Sequence, residues 1–484
     1  MTIHCPARVP AMHKTKIWEN VMLDYFFNPK SVAIIGASSN MNKGGYHIIK
    51  NITSGFPGKI YPVNKNYPDM LGLPCYKDLA SIPGNIDLAI YFIPSKELPD
   101  TVNECAKKGV KGIIIESGGF NEAGAEGARI QKLALDNAAR AGIRLWGPNC
   151  MGFIDANKRY VFSFINSLVW PDVLRGGNVG MIVQSGMLSA GFLLHALQEG
   201  IMGVSKVCSI GNKCDINEND ILEHLIDDKD TEVIACYLES LVDGRKFLDL
   251  AKKTEKPIIV LMGGRSQEGA KAAQSHTASL SGNYKIASAA FRQAGIIEVF
   301  DPAELTDIAR AFAKNMPFHP EKEKGTAILT FSGGAGTVTT DLMEDCGLKL
   351  AKLSDRTLAA VAELFPPWNK PDHPLDLWIA IERHGFEKVF RNSLTAVIND
   401  PGVDSIIFHS YASPLIGQDF FEELAAMIKK NKKPAVLWIE GRKDFAEHIR
   451  GIAENAGLPA YREMNRCVTV MNGMKRHFTK KPMS

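Results

Sequence analysis

Short apolar runs, closed by turn residues, recur along the first third of the chain. They are SVAIIG (31–36), KIYPV (59–63), IDLAIYF (86–92), KGIIIES (111–117) and IRLWG (143–147). They are rich in Ile and Val and do not alternate with polar residues, the pattern of strands buried on both faces. Amphipathic stretches over 95–109 and 122–142 lie between them, and each closes at a glycine. Strict alternation of strand and helix predicts a parallel, doubly wound sheet. Pro148 and the irregular stretch to Gly177 mark a boundary.

The same grammar then repeats. Strands are predicted at 178–183, 205–210, 231–239, 256–262 and 296–300, with helices near 187–200, 218–228, 243–254 and 302–314. A polar hinge at 316–325 leads into a third unit that resembles the second. GMIVQSG (180–186) returns as AILTFSGG (327–334), and KPIIVLMGGRS (256–266) as KPAVLWIEGRK (433–443). The two offsets are 147 and 177 residues, so about 30 residues are added between the landmarks in the later copy. The segment PPWNKPDHPLDLW (366–378) is expected to supply part of them.

A chain of 484 residues fits about three domains of about 150 residues each. Its net charge of +3 is too even for a nucleic-acid footprint. No apolar run approaches the ~18 residues of a membrane helix. The first 20 residues lack the apolar core of a secretory signal. Nine scattered cysteines without a CxxC read as reduced thiols, so a cytoplasmic setting is expected, with no structural zinc site.

Candidate chemistry sits in the turns after the strands, where open parallel sheets place ligands. The first turn, GASSNMNKGG (36–45), keeps only the first glycine of a dinucleotide fingerprint, Gly36. Its amides and the helix start behind it can still hold an anion, with Ser38 alongside. The second strand ends in VNKN (63–66), and Asn64 and Lys65 stand where an NAD site would carry an acid. They suit a phosphorylated ribose, as in NADP or coenzyme A; on residue type alone Lys65 fits a solvated turn lysine better. In ESGGFNEAGAEG (116–127), Ser117, Gly118 and Gly119 would admit a ligand close to the backbone, or form an ordinary glycine-rich loop. Ser185 and Gly186 of QSGMLSAG (184–191) open a helix whose free amides could bind an anion or need only an N-cap. SGGAGTV (332–338) is the matching turn of the later copy.

The segment GGRSQEGAKAAQSHTASLSG (263–282) is too small-sided to pack a core and reads as a loop. His276 stands in its middle, either incidental or a nucleophile that moves. The later copy has no matching segment, so it is not a requirement of the fold. Glu239 ends the strand beside the one that launches this loop and could orient an imidazole, or be a solvated strand-end acid. In GNKCDINENDIL (211–222), a turn and helix start, Asp215 could face a ligand.

GAS, PVN, SGGFNEAG, GPNCMG, QSG, GNKCD and SHTASLSG occur in the order found in one family. From about Tyr25 to Arg476 the chain resembles the NDP-forming acyl-CoA synthetases, relatives of succinyl-CoA synthetase. The resemblance implies a Rossmann-like CoA-binding domain (25–150) and two flavodoxin-like ligase domains (151–316 and 325–476). It implies that Gly36, Ser38, Asn64, Lys65, Ser117, Gly118 and Gly119 lie at the CoA site. His276 would carry a phosphoryl group, oriented by Glu239. Ser185 and Gly186, and Gly334, Ala335 and Gly336, would start two phosphate-facing helices. The family's SHTG here reads SHTA, with Ala278, and Met262 replaces a common lysine. No ATP-grasp module is recognisable, so ATP or ADP and Mg²⁺ are expected on a partner ATP-grasp subunit, in a hetero-oligomer acting on a small carboxylic acid or its acyl-CoA. Two rival readings are an NADP-linked oxidoreductase, which leaves the His276 segment unexplained, and a non-catalytic CoA-binding regulator or scaffold.

Overall fold

Each apolar run forms a strand with almost no exposed residue. The protein is described from a computed structural model over residues 23–186, 191, 202–277, 284–321, 324–413 and 416–479. The first sheet comprises β1 (Ser31–Ile35), β2 (Lys59–Val63), β3 (Leu88–Tyr91), β4 (Gly112–Ile115) and β5 (Arg144–Trp146), all parallel, in the order β2-β1-β3-β4-β5. Helices α1 (Gly44–Thr53), α2 (Leu98–Lys107) and α3 (Ala125–Ala141) cross between them. Helix α3 stops where Gly142 takes φ 68°, the left-handed end a glycine permits. A hairpin of β6 (Phe153–Asp155) and β7 (Tyr160–Phe162) follows.

The chain forms two compact units. The first runs to Ser167 and takes in Ile210–Asp227; the second comprises Leu168–Ser209 and everything from Asp228. In the second unit, β8 (Gly176–Val183), β9 (Val204–Ser209), β10 (Val233–Leu238), β11 (Ile258–Met262) and β12 (Ile297–Val299) stand in the order β12-β11-β10-β8-β9. Helix α4 (Glu218–Asp227), between β9 and β10, belongs to the first unit. Helices α5 (Gly244–Lys252), α6 (Gln267–Thr277), α7 (Tyr284–Ala294) and α8 (Pro302–Ala313) lie between and after the later strands. Asp301 caps α8 by accepting from the Glu304 amide at 2.9 Å.

The later copy carries β13 (Gly325–Thr330), α9 (Gly333–Asp345), α10 (Asp355–Ala362), β14 (Leu375–Asp376), α11 (Trp378–His384), α12 (Phe386–Ile398), β15 (Val403–Tyr411), α13 (Gln418–Asn431), β16 (Ala435–Glu440), α14 (Lys443–Asn455), β17 (Ala460–Tyr461) and α15 (Met464–Phe478). Its sheet runs β14-β13-β15-β16-β17. The five parallel strands of each sheet therefore share one order, second-first-third-fourth-fifth, with a crevice where the crossover direction reverses between first and third strands. The segment 366–378 carries β14, the second strand of this sheet.

One expectation changes. The glycine- and alanine-rich segment after β11 is helical through Thr277. Its Ala, Gln, Glu and Lys are strong helix formers, and Ser266 caps the helix by accepting from the Gly269 amide at 3.0 Å. The helix expected over 187–200 lies outside the described residues except Gly191, as do residues 278–283 with Ala278.

Candidate functional sites at three strand-end crevices

In the first unit, the turn leaving β1 is shaped by close backbone approach. Gly36 has φ +97°, and a methyl there would lie 2.4 Å from the Phe92 carbonyl oxygen. A methyl on Gly45 would lie 2.1 Å from the Gly36 oxygen, so the first turn of α1 is pressed onto the loop. Ser38 is buried and accepts from the Asn40 amide at 3.1 Å. Asn64 donates to the Ala37 carbonyl at 2.8 Å and accepts from the Asn66 amide at 3.0 Å, tying the β2 end to the β1 turn. Its side chain is a brace. Lys65 is exposed and lines a shallow cavity of about 470 Å³ with Tyr67, Tyr76 and Lys77.

After β4, Ser117 donates to the Ile93 carbonyl at 2.7 Å. Gly119 has φ +93°. Its amide and that of Phe120 donate to one carboxylate oxygen of Glu122, at 2.7 and 3.2 Å. The other oxygen accepts from Asn212 at 2.5 Å, and Asn149 donates to Asn212 at 3.4 Å. Two of the loop's amides are thus occupied from within. Sequence reasoning passed over Glu122; the only local signal was an acid three residues after Gly119. Asp215 is engaged within the fold: it accepts from Arg144 at 2.8 and 2.9 Å and from the Leu145 amide at 2.8 Å. Glu116, also unremarked, is buried, and desolvation pushes its carboxyl well above the usual range. The hydrogen bond this carboxyl accepts from the Phe164 amide at 3.0 Å opposes that shift.

In the second unit the crevice lies between the ends of β8 and β10. Gln184 accepts from the Glu239 amide at 2.8 Å and the Ser240 amide at 3.3 Å. Glu239 is buried, not solvated, and its carboxylate accepts from the Tyr237 hydroxyl at 3.2 Å. Burial, reinforced by that carboxylate, pushes the Tyr237 phenol up, so it stays a donor. A methyl on Gly263, just past β11, would lie 3.0 Å from the Tyr237 oxygen and 3.3 Å from Glu239 Cγ, which keeps this position small. Ser185 is half-buried, and Gly186 carries helical backbone. His276 falls in the last turn of α6; its side chain lies outside those described.

In the later copy, Ser332 caps α9 by accepting from the Ala335 amide at 3.4 Å, and the Gly336 amide bonds the Ser332 carbonyl at 3.0 Å. Of the predicted anion-binding amides, Ala335 and Gly336 are engaged in this cap, while Gly334 is exposed. Asp376 approaches the same turn: a methyl on Gly333 would lie 2.9 Å from its Oδ2. Phe331 stands where the earlier copy has Gln184 and stacks on Trp438, centroids 5.8 Å apart. The polar cluster around Glu239 therefore has no equivalent at this turn.

A family model described as a CoA binding domain matches residues 30–156, and one described as a succinyl-CoA ligase like flavodoxin domain matches 176–312. The chain is 38% identical over 448 residues to the acetate–CoA ligase [ADP-forming] II subunit alpha of Pyrococcus furiosus, covering 91% of this chain and 94% of that one. It is 36% identical over 455 residues to the acetate–CoA ligase [ADP-forming] II of Archaeoglobus fulgidus, covering 93% of this chain and 66% of that longer protein. Among solved structures, a dinucleotide-forming acetyl-coenzyme A synthetase 1 of Ca. Korarchaeum cryptofilum, in complex with phosphate and ADP, superposes with a TM-score of 0.83 at 30% identity, covering 94% of this chain and 96% of that one. With this fold, these motifs and these relatives, the chain belongs to the NDP-forming acyl-CoA synthetases, a family of acid–CoA ligases.

Proposed function

We propose that this chain is the alpha-type subunit of an NDP-forming acid–CoA ligase, with His276 as its phosphoryl carrier, working in the cytoplasm with an ATP-grasp subunit. The observation that carries this reading is the buried Glu239 at the crevice of the second unit. It is held by Tyr237 and by the Gln184 contact to its amide, beside the strand that leads into α6. A fixed, buried carboxylate suits the orienting of an imidazole, because it accepts one ring N–H and leaves the other nitrogen as the nucleophile. The relative from Pyrococcus furiosus is itself named a subunit alpha, which supports a partner; acetate, the acid in that name, is the first substrate to try.

CoA is assigned to the first unit, at the turns of Gly36 and Gly119. The crowding around Gly36 leaves room for nothing larger than backbone on its inner side, and Lys65 stands exposed nearby for a phosphate. Asn64 and Ser38 shape the turn, and Ser117 and Gly118 the facing loop. A phosphate oxygen attacks the thioester carbonyl, the C–S bond breaks, and CoA leaves as the thiol. The His276 nitrogen then attacks phosphorus of the acyl phosphate; the P–O bond breaks and the carboxylate departs. An oxygen of the diphosphate on the partner finally attacks the phosphohistidine, the P–N bond breaks, and the imidazole is restored. Helix starts at Ser185-Gly186 and at Gly334 would stabilise the phosphoryl anion. Mg²⁺ on the partner would neutralise charge during the last transfer.

His276→Ala, mixed with the partner subunit, is expected to take no label from γ-labelled ATP and to make no acyl-CoA, while still binding CoA. Normal turnover by this variant would overturn the carrier assignment. Lys65→Glu in the full chain should weaken CoA binding about tenfold by calorimetry, a loss of about 1.4 kcal/mol; unchanged affinity would remove Lys65 from the site.

A further inference from the structure

Three loops of the first unit meet at the carboxyl ends of β4 and β5, and their side chains close into a ring. Glu122 accepts from the Gly119 and Phe120 amides with one oxygen and from Asn212 with the other. The Asn212 oxygen accepts from Asn149, and the Asn149 amide bonds the Ser117 carbonyl at 2.9 Å, next to where the ring began. Five residues of these loops hold left-handed backbone: Gly119, Gly147, Asn149, Gly211 and Lys213. For Asn149 and Lys213 this costs of order 1–3 kcal/mol, a strain that persists only where the surroundings enforce it. Lys213 is held by an ion pair to the fully buried Glu218 at 3.0 Å.

The carboxylate of Glu122 fills the amide pocket that a ligand phosphate would otherwise occupy. The loop's contribution to a ligand is then its shape, not those two amides. A methyl on Gly118 would lie 3.3 Å from Glu122 and 3.4 Å from the Asn149 side-chain oxygen, so the ring lies directly behind this residue. Asn212 belongs to the excursion Ile210–Asp227, whose two ends are joined to strands of the second unit. We infer that Glu122 is a positioning residue for CoA: it holds the backbone of 118–120 in the form that accepts the ligand and registers that loop against Asn212. The inference rests on the assignment of CoA to this unit.

The test uses the full chain with its partner. Wild type must first bind CoA by calorimetry; if it does not, the CoA assignment falls and this inference with it. Given binding, Glu122→Gln keeps the size but loses the charge that holds two amides, and should weaken CoA about tenfold, or about 1.4 kcal/mol. Asn212→Ala should weaken it in the same direction and by less. In steady state the KM for CoA should rise about as much, with the KM for the acid within about twofold. Wild-type CoA affinity in both variants would overturn the inference, as would an equal rise in both KM values, which marks a general loss of structure.

Discussion

At the scale of single residues, several groups are set by what surrounds them and not by their type. His373 accepts from the Ile328 amide at 2.9 Å and lies 3.0 Å from the Ala351 carbonyl oxygen through its other nitrogen, a neutral ring. Burial pushes it down to about 4, and burial alone pushes His409, between Thr330 and Thr339, down to about 3. Both folded values lie below the unfolded value of about 6.5. The unfolded chain therefore binds more protons in acid, and stability falls as pH drops from about 6.5 toward 4. Each histidine contributes a slope of up to about 1.4 kcal/mol per pH unit. Urea unfolding at pH 7, 6 and 5, followed by tryptophan fluorescence, should show this loss; a flat midpoint would refute it. Gly45 is a second case. Gly45→Ala places a methyl against the Gly36 oxygen, and should cost about 1–3 kcal/mol of stability along with CoA affinity. A variant with wild-type melting and binding would show that the turn yields freely.

At the scale of elements, α8 and α15 fasten the later copy to the second sheet. Arg310 on α8 donates to Glu454 at 2.6 Å and lies over the Tyr461 ring at 4.4 Å. Lys314 reaches the same carboxylate at 2.9 Å, and Arg466 of α15 pairs with Asp307 of α8. Arg310, Glu454 and Asp307 are all buried, and burial raises the Asp307 carboxyl against the pull of its two arginines. Removing one member leaves an unmatched buried charge, so Glu454→Ala should destabilise the protein by about 3–5 kcal/mol in denaturant unfolding. A loss under about 1 kcal/mol would show that the network is not what holds the copies together. Helix α4 bears on fragment design. It packs with the first unit, where Phe27 stacks on His224 at 3.7 Å, so a fragment ending near residue 150 would lack part of that unit. The helical state of α6 was hidden by composition: glycine and serine suggested a loop, while alanine, glutamine and the Ser266 cap decided otherwise.

At the scale of the whole molecule, the proposed reaction needs a diphosphate cradle that no motif in this chain supplies. Among the described residues no cluster of His, Cys, Asp or Glu is arranged for a metal, and no helix is long and apolar enough to cross a membrane. The purified chain should accept no phosphate from ATP alone, and should do so once an ATP-grasp subunit is added, in a complex burying about 2,000 Å² or more. Full ATP-dependent synthesis by the isolated chain would end the two-subunit reading. The alternation of strand and helix and the repeat were legible in the sequence, as was the place of the polar and glycine-rich loops at the carboxyl ends of the strands. A parallel strand covered on both faces must be a continuous apolar run, and its ligand loops must follow its carboxyl end. What each polar group in those loops does was decided only by tertiary structure. Asn64 is a brace, Asp215 an ion-pair partner, and Glu122 an acceptor bonded to a residue 90 positions away. Local pattern records which residues are polar; their partners come from distant segments, and only folding brings those together.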